Sequence, residues 1–385
     1  MNVPRAARCA RATLLALCLC ACGATPDPTR GVAGTPARST AAPAASSASS
    51  VAAAPLQPPR VSRDRAVVRC TPIGATPETV APAPGAKVFT SDGVDLFWSD
   101  GSALFRRAVA GGETTKIVAR VSGVADVTGL AIDGDELWFI ASRWTDRGCL
   151  GLVGRYGRDG GKQTRVGPAG CAKGLALTPD TAVIAIEGSS PGDGSIVGSY
   201  FAVPRAPGKK TIVLRRNVNG SGAVATDGQY AYFPDGIGTL GRIALADGPT
   251  EPLARRGPAI DSVSGERFAV DESGVYFFFG HLNLNGQRIA RLPREGGDMT
   301  ILGDALPATQ QGSGYPRGAI QLGDAHAYWS TPGAGEVLRV TKSGACRVEP
   351  IAQGQPGADW LALTKTHLYW LNGSASPPVV MRLAL

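Results

Sequence analysis

The chain has little with which to build most familiar active sites. It holds three histidines and three methionines in 385 residues. It has no G-x-S-x-G elbow, no H-E-x-x-H pair and no glycine-rich phosphate loop opening a helix. No two of Cys22, Cys70, Cys149, Cys171 and Cys346 stand at zinc-finger spacing, and neither a metal nor a cofactor is expected. The net charge of +8 includes no Lys/Arg block and no aromatic stripe, and Arg5, Arg8 and Arg11 near the N-terminus contribute to it. Nucleic-acid binding therefore has no support beyond net charge. No segment after residue 65 keeps an apolar period of 3.6, which argues against a helical domain. What the chain does have is glycine and proline, 51 and 29 of them, the residues of turns rather than of helices.

The N-terminus reads as a targeting segment and is set aside before fold reasoning. Behind the three arginines, residues 13–21 (TLLALCLCA) form an apolar run short of the ~20 residues that span a bilayer. It ends in Leu19-Cys20-Ala21-Cys22, which resembles the bacterial lipobox. The resemblance implies removal of residues 1–21 and acylation of Cys22; an ordinary cleaved secretory signal is the alternative. Gly23, rather than Asp, after the cysteine favours the outer membrane within the cell envelope. Residues 22–64 are Ala, Pro, Ser and Thr with few large apolar side chains, a composition that cannot offset its own ordering entropy. They read as a disordered tether. Cys70, Cys149, Cys171 and Cys346 remain as candidate disulfide partners in an oxidising compartment. Four cysteines allow three pairings; Cys149 with Cys171 inside the second repeat, and Cys70 with Cys346 across outer strands, is the expected set.

Residues 65–385 contain an internal repeat. Seven segments share a short apolar strand, an acidic or glycine turn, and a strand centred on a bulky pair. The pairs end at Trp98, Phe139, Ile184, Phe233, Phe277, Trp329 and Trp370. The intervals of 41, 45, 49, 44, 52 and 41 residues are those of four-stranded propeller blades. A second column of glycines (Gly112, Gly161, Gly208, Gly248, Gly297 and Gly344) marks a tight turn further along each unit. Neighbouring side chains of a strand point to opposite faces, so a pair such as Tyr328-Trp329 needs both faces buried, as stacked blades provide. The third copy, Val183-Ile184, lacks rings and is expected to pack least tightly. The seventh copy lacks a fourth strand, and residues 66–73 resemble one. The expected fold is all-β: a seven-bladed β-propeller (six-bladed as the alternative) of four-stranded antiparallel blades, closed by an N-terminal strand pairing in the last blade.

Phe97-Trp98-Ser99-Asp100, Tyr232-Phe233-Pro234-Asp235 and Tyr328-Trp329-Ser330-Thr331 resemble the YWTD repeat and are similar to NHL-type repeats. The resemblance runs over residues 66–385 and implies a fold rather than an activity.

In such a meander the first and third turns of each blade lie on one face, and the remaining connections on the other. Residues 142–148, 188–199 and 280–287 read as long loops between second and third strands, and 306–316 as a loop between blades. All fall on one face, where binding concentrates on a rigid scaffold. Trp144, Arg147, His281, Asn283, Gln310 and Tyr315 are the candidate binding residues; drifted loops with no ligand are the plainer alternative. His326 and His367 recur at one turn position and read as turn residues, not a metal pair. The recurring arginines Arg106, Arg155, Arg242, Arg291, Arg339 and Arg382 read as packing or inter-blade pairing. The sequence thus points to a membrane-tethered module for an unknown protein, peptide or glycan. The alternative is a metal-dependent propeller hydrolase, lactonase or lyase.

Overall fold

The computed structural model describes residues 73–121, 126–145, 148–189, 196–206, 208–219, 222–235, 239–246, 248, 250–254, 262–280, 287–304 and 320–385. The chain divides after Pro55, and all of these lie in the second unit, Leu56–Leu385. They form seven four-stranded antiparallel sheets. Blades 1 to 6 take their strands in chain order from residues 88–118, 127–166, 171–219, 225–254, 262–304 and 321–352. Blade 7 joins three C-terminal strands, β26 (Ala358–Leu363), β27 (His367–Asn372) and β28 (Val379–Ala384), to β1 (Glu78–Pro82). The strands of a blade are called A to D, inner to outer.

The ring closes as the repeat arithmetic requires, but through a different segment from the one expected. The strand that pairs with β28 is Glu78–Pro82, with Glu78 opposite Arg382 and Pro82 opposite Val379, not residues 66–73. The prolines at 77, 82 and 84 make this stretch look like linker. An outermost strand tolerates them, because its outward N–H groups have no ladder partner to lose. Ala81 and Ala83 are fully buried, and the Arg382 guanidinium pairs with the Glu78 carboxylate across the closure.

Among the described residues the core is seven clusters, one at each junction between blades. The bulky pair makes them. Its first member always faces the following blade and its second the preceding one. Phe97 joins the blade 1/2 cluster and Trp98 the blade 7/1 cluster. Tyr328 and Trp329 likewise divide between the 6/7 and 5/6 clusters. Each ring removes roughly 150–250 Å² from water. In blade 3, Val183 and Ile184 are completely buried, and the missing aromatic surface comes from the C strand, where Tyr200 stacks on Phe233 at 4.5 Å.

A second system of contacts ties the blades on the face of the A–B and C–D turns. In Asp92, Oδ1 accepts the N–H groups of Val94 and Asp95 and shapes the turn. Oδ2 meets Arg158 of the next blade at 2.6 Å. Asp227 and Asp271 divide their oxygens in the same way, taking Arg294 and Lys342 from the following blades at 3.2 and 2.7 Å. Asp133 takes Arg205. At the three other junctions both columns change together: Thr178 stands with Leu245, Gly323 with Leu385, and Thr364 with Val109. Leu245 and Val109 pack against the apolar clusters instead. Every junction thus has both charges or neither. Most of the recurring C-strand arginines pair within their own blades, and three of the column reach the next one: Arg106 reaches Asp159, Arg242 donates to the Arg294 carbonyl and Arg291 to the Lys342 carbonyl. Arg106 meets Asp95, Arg155 meets Glu136, Arg242 meets Glu251 and Arg339 meets Glu349, at 2.5–2.8 Å.

Two outcomes follow from these clamps. A double-mutant cycle of Asp271→Asn and Lys342→Gln, read by chemical denaturation, should give a coupling of about 1–2 kcal/mol for this mostly buried pair. The exposed Lys87–Asp126 pair should give less than about 0.5 kcal/mol. Burial would raise the carboxyls of Asp92, Asp227 and Asp271. Backbone N–H donors and the partner cation outweigh it for Asp92, as do N–H and hydroxyl donors with the cations for the other two, and all three lie below their ordinary value. A depressed carboxyl contributes stability above its unfolded value and loses it as pH falls through the folded one. Denaturation midpoints measured against pH should therefore hold level near neutrality and drop only below about pH 4.

Candidate functional site

The A strands line the central channel, and four of them have irregular ladders: three carry a one-residue β-bulge at nearly the same height, and that of blade 5 slips between Val263 and Phe268. In β6 (Val127–Asp133) the register slips between Val127 and Gly129, leaving Thr128 extra. In β10 (Cys171–Leu177) it slips between Ala172 and Gly174, leaving Lys173 extra. In β26 it slips between Asp359 and Ala362, around Trp360. A bulge re-aims the side chain of the added residue. Thr128, Lys173 and Trp360 all line one cavity of 470 Å³ in the channel, with Glu187 and Phe268 in its remaining wall. Most of the lining comes from the first halves of A strands and the far ends of B strands. The cavity therefore lies toward the face of the B–C and D–A connections.

Two features mark it as more than a gap between blades. Trp360 is held at φ 54°, a left-handed conformation uncommon for a bulky residue. Its own N–H bonds the Asp359 carboxylate at 2.9 Å, and its ring contacts the clusters on both sides of blade 1. Such strain persists only where surroundings over-determine it. Glu187, from the B strand of blade 3, is buried and pairs with Lys173 at 2.9 Å. This puts both signs of charge in the wall with no net excess. Gly174 permits the tight approach of blade 4: a Cβ there would stand 2.3 Å from the Gly222 carbonyl oxygen.

The expected disulfide forms, but not inside blade 2. Cys149 sits in β8 (Gly148–Gly157) of blade 2, and Cys171 opens β10 of blade 3. The bridge therefore staples two blades beside the cavity, with Cys171 opposite Glu187 in the ladder. Cys346 is also disulfide-bonded, to a partner outside the described residues, where Cys70 lies as well.

Of the six candidate binding residues, Arg147, His281, Asn283, Gln310 and Tyr315 lie outside the described residues. Trp144 has its backbone in β7 (Glu136–Thr145), opposite Cys149, and its side chain is outside them. Residues 142–145, expected as loop, are strand: β7 and β8 form a long hairpin that continues to the Thr145–Gly148 pair. Gly188 and Ser189 likewise extend the B strand of blade 3. Apolar alternation fades there, which hid the pairing. His326 and His367 sit at separate turns on the opposite face, each ring about 6 Å from its own blade's tyrosine. Burial and then Arg339 push the His326 imidazole below its ordinary value. Among the described residues no three His, Cys, Asp or Glu side chains gather as a metal site, and no helix is long and apolar enough to cross a membrane.

The sheets and channel define the chain as a seven-bladed β-propeller. No family model matches the sequence, and no curated protein matches it. Solved structures share its fold. An oligogalacturonate lyase in complex with manganese superposes with a TM-score of 0.58 at 11% identity, over 83% of this chain and 96% of that one. A streptogramin B lyase gives 0.56 at 13%, over 80% and 97%. Virginiamycin B lyase from Staphylococcus aureus, a catalytically inactive histidine-to-alanine variant with quinupristin, gives 0.51 at 16%, over 83% and 98%. At these identities the likeness is one of fold.

If the close approach at Gly174 shapes the cavity, Gly174→Ala should push blade 4 away. The expected cost is about 1–3 kcal/mol in thermal or denaturant unfolding, against a near-neutral Gly74→Ala, where an added Cβ meets nothing within 4 Å.

Proposed function

We propose that the protein is a lipid-anchored envelope protein whose propeller is a binding module, receiving its ligand at the channel mouth on the face of the B–C and D–A connections. The observation that carries this reading is the cavity itself. Its strained Trp360 and the lysine of its ion pair come from bulges in the inner strands, where an uninterrupted propeller would run plain ladders. The way the chain enters adds to it. Glu78 pairs near the C-terminal end of β28, and Pro82 near its start, so β1 enters from the face of the A–B and C–D turns. β1 therefore begins on the face away from the cavity.

An enzyme is the second reading, motivated by the lyases that share the fold. One of them is described with manganese and another as inactive without a histidine. The described histidines of this chain stand on the far face, and His281 lies outside the described residues, so the lyase chemistry has no counterpart among the residues placed so far. The two readings part on metal content. A stoichiometric divalent ion on purified protein, lost together with a hydrolase or lyase activity on chelation, would favour the enzyme.

Membrane attachment is tested directly. Cells expressing the full chain should incorporate labelled palmitate into it, and the protein should fractionate with membranes; Cys22→Ser should lose both. Retention of label in that variant would overturn the anchor. Replacing 306–316 with a short Gly-Ser link should reduce capture of the native partner while leaving the thermal midpoint within a few degrees.

A further inference from the structure

Resting on the binding-module reading, the geometry points to a neutral sugar unit as the occupant of the channel cavity. The walls supply three kinds of recognition. Trp360 and Phe268 bring aromatic surface to it from blades 7 and 5. The apolar C–H face of a pyranose lies flat against such rings, whose π faces are negative. Lys173 and Glu187 offer a cationic donor and an anionic acceptor side by side, 2.9 Å apart. A hydroxyl both gives and takes hydrogen bonds, so adjacent ring hydroxyls match this pair, and bonds to charged partners are the stronger kind. Thr128, at 3.4 Å from the Ser142 hydroxyl, adds a neutral polar edge.

The charge balance decides among ligand classes. An anionic ligand would gain from Lys173 but meet the buried carboxylate of Glu187. A cation would meet the reverse. A purely apolar ligand would cover both charges and satisfy neither, which is costly. A neutral polyol with one apolar face satisfies all of these conditions. The volume of 470 Å³ lies within the range of small-ligand sites, roughly 300–1,000 Å³. It suits one or two sugar rings, the end of a glycan rather than its length.

Trp360 also supplies an unusual test. Its φ of 54° is one that glycine adopts without strain, so Trp360→Gly removes the ring while suiting the backbone. Lys173→Gln, at a half-exposed side chain, is the second variant, and circular dichroism checks the fold of both. The full chain would be titrated by calorimetry with glucose, galactose, N-acetylglucosamine and cellobiose, and with trialanine as a peptide control. At least one sugar should bind saturably, with Kd at about the millimolar level or tighter, and each variant should weaken it by about tenfold or more. Saturable binding untouched by both substitutions would place the sugar elsewhere and overturn the inference. So would no sugar binding at all. Trialanine binding that Trp360→Gly abolishes would overturn the sugar assignment while leaving the channel as a binding site. Failure of every probe, with native-partner capture still dependent on residues 306–316, would remove the sugar and keep the module.

Discussion

Everything in this propeller depends on burying both faces of every sheet. A lone four-stranded antiparallel sheet has one face too many for a chain of this composition, because the B strands place large rings on both sides. Stacking the sheets around an axis resolves that, and closing the ring removes the last exposed face. The bulky pair is therefore a constraint on topology, not only a source of stability. Seven bulky pairs, six of them rings, each serving the blade ahead and the blade behind, leave no position for an uncovered blade. Blade 3 shows that the requirement is for buried volume rather than for particular residues. Val183 and Ile184 occupy the pair, and Tyr200 on the adjoining strand restores the aromatic contact.

Apolar stacking by itself does not choose which blade follows which. The turn clamps add that information. One carboxylate bonds its own turn through Oδ1 and the neighbouring blade through Oδ2, so the turn's shape and the junction's charge are set by one residue. Because the junctions that lack the acid also lack the base, no buried partner is left unmatched, a situation that costs more than omitting the pair altogether. Asp95, almost wholly buried, shows how tight this matching is: Arg106 of its own blade and Arg158 of the next both bond it.

Much of this was legible in the sequence, for reasons that can be named. The bulky pairs and the turn glycines recur because each unit meets the same packing problem, so blade number and the need for closure followed from spacing. The closing strand was misplaced because residues 66–73 have the apolar pattern of an outer strand, while Glu78–Pro82, set among Pro77, Pro82 and Pro84, does not, and an edge tolerates prolines that an inner strand would not. The cavity was not legible at all. Thr128 and Trp360 look like ordinary members of apolar inner strands, and only the pairing register shows that their strands are interrupted. The clamps were half visible. The acidic turns stood out, but their cationic partners stand three residues after the recurring C-strand position and become apparent only when the two columns are compared across successive blades.

The contrast between the two faces of the ring carries the last step. The A–B and C–D face is saturated with contacts the fold itself uses: its acids bond backbone N–H groups and its cations bond those acids. The cavity side is built on the opposite plan. Three of its inner strands break their ladders at nearly the same height, one of them holds a tryptophan in a backbone conformation that the sheet does not need, and its ion pair ties no two blades together, since Lys173 and Glu187 belong to the same one. The conformation of Trp360 carries strain, held while its ring packs against the clusters on both sides of blade 1. The two faces of the ring thus differ in what their charges do: on one they join successive blades, and on the other Lys173 and Glu187 pair inside a single blade at the wall of the channel.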